Sequence, residues 1–234
     1  MKIGAIILSR FNSSRLPGKA LMNVNGVPVL LIIVERLRRV LPDSSIVVAT
    51  SNENTDDAIE QFCIQQSINY FRGSLDNVAD RFYRASKHLN LDYSIRINGD
   101  NVFVDTIVLT EMIDLARMGR YDFISNVKGR TFPKGMSVEI VNTDYYSSLL
   151  PAISESESYR EHVTSYLYEH DNGRHFYLYN NHVPEASGLQ MALDTSEDLE
   201  RTKRIIARFT DSHWKYNLKE IYSIWKQIEY EQTL

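Results

Sequence analysis

The sequence has 234 residues, 43% hydrophobic and 24% charged, which suffices for one sizeable core and is too short for two full-size domains. A formal net charge of -4 argues against the broad basic surface that neutralises a nucleic-acid backbone, yet leaves room for local cationic sites that hold small phosphates. The single cysteine, Cys63, excludes an intrachain disulfide, and no apolar run approaches the roughly 18 to 20 residues of a membrane helix, so a reducing, cytoplasmic setting without a membrane partner is expected.

In chain order, Lys2–Leu8 is a short apolar run of strand length that meets Ser9 and Arg10 too early for a secretory signal. Pro28–Leu41 places Val29, Leu30, Ile33, Val34, Leu37 and Leu41 at helical spacing. Ile46–Ala49 then reads as a strand, Thr55–Gln66 as a helix, Asn69–Phe71 as a short strand and Asn77–Leu89 as a helix. Tyr93–Ile97 is the next strand, ending at Asn98-Gly99-Asp100. This alternation predicts an α/β fold: a doubly wound, mostly parallel, Rossmann-like sheet with helices on both faces. Ligands in such sheets sit beyond the carboxyl ends of the strands, here from Ser9, Thr50, Phe71 and Asn98 onward.

After about Tyr121 the pattern changes. Ser137–Val141 alternates as a strand, Glu155–His170 reads as a helix, and His175–Tyr179 and Leu189–Leu193 read as strands, before closing helices over Ser196–Phe209 and Leu218–Glu229. Without a repeat, a low-complexity tract or a Gly/Ser linker, the expectation is one domain over residues 1–234, divided into 1–120, a smaller elaboration over 121–195, and closing helices over 196–234.

The most informative stretch is Ser9-Arg10-Phe11-Asn12-Ser13-Ser14-Arg15-Leu16-Pro17-Gly18-Lys19, directly after the first buried strand. Backbone amides and the hydroxyls of Ser9, Ser13 and Ser14 can donate to phosphate oxygens. Arg10 and Arg15 can bind those oxygens bidentately, and Lys19 adds a point charge. The stretch is neither a Walker A loop nor a dinucleotide fingerprint; the bland alternative is a solvated basic turn.

Residues Ala5 to Leu21 resemble the opening of the cytidylyltransferases that make CMP-Kdo and CMP-sialic acid, whose pattern runs Ile-x-Ala-Arg-x-x-Ser-x-Arg-Leu-Pro-Gly-Lys. Later stretches are similar to the SpsF-like, spore-coat polysaccharide branch of that superfamily, so the resemblance covers nearly the whole chain. It implies a nucleotide-binding first half, an acceptor-side second half, and Mg²⁺ as cofactor. Arg15, Lys19 and Asp100 are then catalytic, and Leu8, Ser9, Arg10, Ser13, Ser14, Asn98 and Gly99 bind the nucleotide.

Two carboxylates qualify for the metal. Asp100 follows the strand Tyr93–Ile97, where the branch usually continues with Cys-Pro or Glu-Pro but this chain has Asn101-Val102; as a plain reading it is a turn residue. Asp194 precedes Thr195 and Asp198, which form a capping box for the next helix, and the resembled Asp-Thr-Pro-Glu-Asp-Leu supplies the second metal carboxylate. Magnesium prefers one or two carboxylates together with phosphate oxygens and water. Phe71-Arg72-Gly73-Ser74-Leu75-Asp76 with Arg81 is similar to the branch's Phe-Arg-Gly-Ser signature, implying that Gly73, Ser74, Asp76 and Arg81 approach base and ribose, against a plain helix capped by Asp76. Glu139, Arg160, Glu161 and His162 fall where the resembled family binds its acceptor, although adjacent helical residues cannot all face one ligand.

The function so implied is transfer of CMP from CTP to an anionic sugar-like acceptor, with release of pyrophosphate, for polysaccharide or glycoconjugate synthesis. A GTP- or UTP-dependent sugar-1-phosphate nucleotidyltransferase, a glycosyltransferase of related sheet and a non-catalytic nucleotide-binding subunit are the alternatives. Gly99-Asp100-Asn101 lacks the Asp-x-Asp of the glycosyltransferases. A homodimer stays open.

Overall fold

β1 (Ile3–Leu8) is buried along its whole length because both its faces are apolar. Ile3, Ala5 and Ile7 enter one core and Ile6 and Leu8 the other, following the two-residue period of a strand. The computed structural model of the protein describes residues 1–170 and 172–232; Asp171, Thr233 and Leu234 of the expected segments lie outside them.

From β1 the chain makes a small hairpin, β2 (Asn23–Val24) and β3 (Val27–Pro28), and then α1 (Val29–Leu37). There follow β4 (Ile46–Ser51), α2 (Asp57–Gln65), β5 (Tyr70–Gly73), α3 (Val78–His88), β6 (Tyr93–Asn98) and α4 (Thr106–Arg117). The second half contributes β7 (Phe123–Ser125), β8 (Glu139–Asn142), α5 (Thr143–Ser154), α6 (Glu157–Glu161), α7 (Ser165–Glu169) and β9 (His175–Tyr177). α8 (Ser196–Ala207) and α9 (Leu218–Gln232) close it.

One seven-stranded sheet, ordered β5-β4-β1-β6-β8-β7-β9, runs through both halves. β5, β4, β1 and β6 are parallel, whereas β8 is antiparallel to both β6 and β7. Helices α1, α2, α4, α8 and α9 cover one face, and α3 and α5 with the short helices α6 and α7 cover the other. The expected mostly parallel α/β sheet is therefore present. Among the described residues no helix is long and apolar enough to cross a membrane.

The second half departs from expectation in three places. Leu189–Leu193 is not a strand but a strap whose ladder pairing is limited to an isolated bridge between Lys134 and Gln190. It threads against Gly135, whose φ of 91° and missing Cβ allow the approach: a Cβ there would lie 2.5 Å from the Ala192 nitrogen. The strap ends with the Leu193 amide donating to the Asp100 carbonyl at 3.1 Å. The expected helix Glu155–His170 is broken between α6 and α7, because the Val163 carbonyl accepts the Tyr146 hydroxyl and Thr164 turns its hydroxyl onto Glu139. α5 contains Pro151, which disguised it in the sequence; Asn142 caps its start by accepting from the Tyr145 amide at 2.9 Å.

The loop after β1 is fixed from below by Asp56, just ahead of α2. This carboxylate, 1% exposed, accepts from the Phe11 amide at 2.7 Å, the Thr50 hydroxyl and the Ser51 amide at 2.8 Å each, and the Ser51 hydroxyl. Burial alone would raise its pKa, but the bonds from Ser51, Phe11 and Thr50 together outweigh it and hold the carboxyl below its ordinary range. A depressed folded-state pKa adds stability that is complete above the unfolded value of about 4 and is lost as pH falls through the folded value. Asp56→Ala should therefore destabilise the protein by roughly 3 kcal/mol at pH 7, since charge-assisted hydrogen bonds are lost and buried donors orphaned. The gap in Tm between this variant and the wild type should narrow as pH drops below about 4; a gap independent of pH would contradict this role.

Candidate active site

Beyond the carboxyl ends of β1 and β6 lies a cleft of about 300 Å³, lined by the loop after β1, the end of β6, the start of α3, the α6–α7 break and the strap. At its centre is the Lys19 ammonium, only 13% exposed. It donates to Asp100 Oδ2 at 2.7 Å, the Leu193 carbonyl at 2.9 Å and Asp194 Oδ1 at 3.1 Å, matching the three donors of an ammonium. Arg15 Nη2 reaches the same Asp194 oxygen at 2.9 Å, and the Gln190 amide donates to its other oxygen at 3.3 Å. Two carboxylates 94 positions apart in the sequence are thus held together by cations of one loop.

The carboxylates are placed by different means. Asp100 follows β6 in a turn closed by the Asn101 amide on the Asn98 carbonyl at 3.0 Å, while the Asn101 side chain ties that turn to the Ser137 carbonyl at 2.9 Å. Asp194 ends the strap, its amide bonded to Asp198 Oδ2 at 3.1 Å inside the capping box that starts α8. The box expected from Thr195 and Asp198 is present, so the helix start and the carboxylate are positioned by the same residues.

Across the cleft, Arg10 Nη2 pairs with Glu161 Oε1 at 3.1 Å. Glu161 ends α6, and His162 follows at the break with φ -99° and ψ 49°, so both side chains line the cleft. Arg160 does not; its guanidinium turns to the Ser154 carbonyl at 2.7 Å. The break resolves the difficulty that three successive helical residues cannot share one face.

Leu8, Ser9, Arg10, Ser13, Ser14, Arg15, Lys19, Arg81, Asn98, Gly99, Asp100, Glu161, His162 and Asp194 all line the one cleft. Gly73, Ser74, Asp76, Glu139 and Arg160 do not. A Cβ on Gly73 would sit 2.9 Å from the Arg81 side chain, so its close approach serves that arginine. The Ser74 carbonyl accepts from Arg81 Nη1, Asp76 is exposed, and Asn77 caps α3 in its place by accepting from the Asp80 amide at 2.9 Å. Burial lowers the Arg81 pKa to about 10, partly offset by Asp56, so the group remains a cation at neutral pH.

Glu139 is 3% exposed on β8. It lies beneath the cleft, ion-paired with Arg96 and accepting from the Thr164 hydroxyl at 2.9 Å and the Tyr168 hydroxyl at 2.6 Å. Burial and the adjacent carboxylate push the Tyr168 phenol well above its ordinary range, so it stays protonated and donates to Glu139 while its oxygen meets the Ser125 hydroxyl. Sequence reasoning passed over Arg96 and Val78, which line the cleft, and Asp56, which braces its loop.

The cytidylyltransferase family profile matches residues 4–233. The chain belongs to the cytidylyltransferase family. Membership makes it a nucleotidyltransferase enzyme, in line with the resemblance seen in its opening residues. It is 33% identical over 212 residues to the spore coat polysaccharide biosynthesis protein SpsF of Bacillus subtilis, covering 86% of this chain and 84% of SpsF. A cytidylyltransferase structure from Leptospira borgpetersenii superposes with a TM-score of 0.90 at 30% identity, covering 98% of this chain and 95% of that one. A CMP-2-keto-3-deoxy-manno-octonic acid synthetase complexed with CTP shares the fold, with a TM-score of 0.66 at 17% identity over 89% of this chain and 99% of that one.

The lysine bridge gives a stability test of this cytidylyltransferase. Lys19→Met leaves two partly buried carboxylates facing each other, and should cost about 2 to 3 kcal/mol, toward the lower end for breaking a buried pair because the groups retain some exposure. Adding Asp194→Asn should recover part of that loss in denaturant unfolding. Absence of any recovery would show that the bridge does not restrain the two acids.

Proposed function

We propose that this cytidylyltransferase transfers CMP from CTP to an anionic sugar-like acceptor in surface polysaccharide or glycoconjugate synthesis, using Mg²⁺. The observation that carries the reading is the convergence of Arg10, Arg15 and Lys19 with Asp100 and Asp194 in one cleft. The names of SpsF and of the CTP-bound synthetase support the substrate classes.

The residues present fit a magnesium ion that arrives with its nucleotide. Asp100 and Asp194 supply hard carboxylate oxygens, and among the described residues no group of three or more His, Cys, Asp or Glu side chains could hold a metal by itself. Two carboxylates completed by phosphate oxygens and water match the preference of that ion. When bound, Mg²⁺ would give both acids a cationic partner and neutralise phosphate charge.

In the reaction an acceptor oxygen forms a bond to the α-phosphorus while the bond from that phosphorus to the bridging oxygen breaks, pyrophosphate leaves, and the proton of a hydroxyl acceptor passes to solvent. Arg15 and Lys19, paired here with the two aspartates, hold oxygens of the departing pyrophosphate and oppose the charge that builds on it. Arg10 adds a third cation from the same loop, and its exchange of Glu161 for phosphate leaves that carboxylate able to accept from acceptor hydroxyls. Arg81 remains cationic on the α3 side. The low exposure of Lys19 keeps these interactions in a medium where they are stronger than in water.

Pyrophosphate release measured with the four ribonucleoside triphosphates and a panel of sugar acids and sugar phosphates tests the reading. CTP should give the highest rate, EDTA should abolish it, and Asp100→Asn should lower kcat by at least about a hundredfold. Full turnover in EDTA, or an unimpaired Asp100→Asn enzyme, would remove the metal assignment. A rate independent of any acceptor would remove the transfer.

A further inference from the structure

The side chain of Arg96 has no place in the triphosphate machinery, yet it opens into the same cleft. Ser94, Arg96 and Asn98 share one face of β6, and register sets Arg96 directly opposite Glu139 on antiparallel β8. Glu139 is almost wholly buried and held by three donors, from Arg96, Thr164 and Tyr168. A carboxylate so enclosed cannot meet a substrate hydroxyl. It can fix a guanidinium in place.

Only one arm of the Arg96 guanidinium, Nη1, is engaged by Glu139. Nε is buried with no hydrogen-bond partner, and 18% of the side chain remains exposed on the cleft wall. The second arm, Nη2, has no hydrogen bond to the described residues and is not among the buried atoms, so a guanidinium braced through Nη1 on the cleft wall keeps one arm for a partner from outside the chain. Arg96 lies on the β6–β8 side, with its supports on β8 and the α6–α7 break, whereas the triphosphate cations come from the loop after β1.

We propose that Arg96 receives the anionic group of the acceptor, a carboxylate or a phosphate ester, and that Glu139, Thr164 and Tyr168 are positioning residues that aim it. The assignment rests on the transferase reading above, because a second anion site is needed only where a second substrate binds. It transfers the acceptor contact from Glu139, where the sequence placed it, to the arginine that Glu139 holds.

The test is calorimetric titration of 3-deoxy-manno-octulosonate, a sugar carboxylate, and of glucose 1-phosphate, a sugar phosphate. Both are added to enzyme saturated with Mg²⁺ and the α,β-methylene analogue of CTP, which cannot release pyrophosphate and keeps the probes out of the triphosphate site. Arg96→Met alone would strand the buried Glu139, so it is combined with Glu139→Gln, and Arg96→Lys is measured beside it because it keeps the charge without the fork. One of the two anions should bind the wild type, and the one that does identifies the anionic group. That affinity should fall at least about tenfold in the double variant, in line with loss of a charge-assisted hydrogen bond, and by a smaller factor in Arg96→Lys. Affinity for the CTP analogue should change less than about twofold, since no triphosphate contact is lost. Equal anion affinity in the double variant, or no binding of either anion to the analogue-saturated wild type, overturns the assignment. Failure of the analogue itself to bind overturns the nucleotide reading instead, and the inference with it.

Discussion

One ammonium group, Lys19 Nζ, governs the architecture of the cleft. Asp100 and Asp194 arise 94 positions apart in the chain, at the end of β6 and the end of the strap, and would repel each other if left alone. Lys19 bonds to both and also to the Leu193 carbonyl, so it fastens the strap to β6 and to the loop after β1 together. The loop must in turn be held rigid for its lysine to serve, and the Asp56 carboxylate under Phe11 does so. The helix-start box at Thr195 and Asp198 holds the Asp194 amide from the other side.

The sheet topology makes this meeting possible. Four parallel strands bring the loop after β1 and the turn after β6 to one edge, because β1 and β6 are hydrogen-bonded neighbours. The antiparallel β8 then sets Glu139 opposite Arg96, and the α6–α7 break brings Glu161 and His162 in from above. The result is a cleft in which four cations are paired with acids, Arg10 with Glu161, Arg15 and Lys19 with the two aspartates and Arg96 with Glu139, while Arg81 is held by the Ser74 carbonyl. Paired charges keep the partly buried site stable in the free protein. In the proposed transfer they also let phosphate enter by exchange, since a triphosphate offers the loop cations stronger partners than single carboxylates do.

Much of this was legible in the sequence. Apolar runs at Lys2–Leu8 and Ile46–Ala49, alternating with helical periods, disclosed the parallel half, and the charges of Arg10, Arg15 and Lys19 stood out because they follow a buried strand. What escaped depended on tertiary contacts. Leu189–Leu193 has the composition of a strand, but its partner is an irregular turn at Gly135, a residue far off in sequence. The helical period across Glu155–His170 gives no sign that Tyr146 will capture the Val163 carbonyl and break it. The resemblance places Glu139 at the acceptor, and its burial beneath the cleft emerges only once β8 is seen between two neighbours; Arg96 is obscured inside an otherwise ordinary strand for the same reason.

In the proposed transfer the loop after β1 meets, through Lys19, the outer phosphates of the nucleotide and not its base or sugar. Calorimetric titration of CTP and CMP, each with Mg²⁺, into the wild type and Lys19→Met tests it most directly. The account predicts a loss of at least about tenfold for CTP in the variant, the scale of one charge-assisted hydrogen bond, with CMP affinity nearly unchanged. Equal losses for the two nucleotides would contradict it.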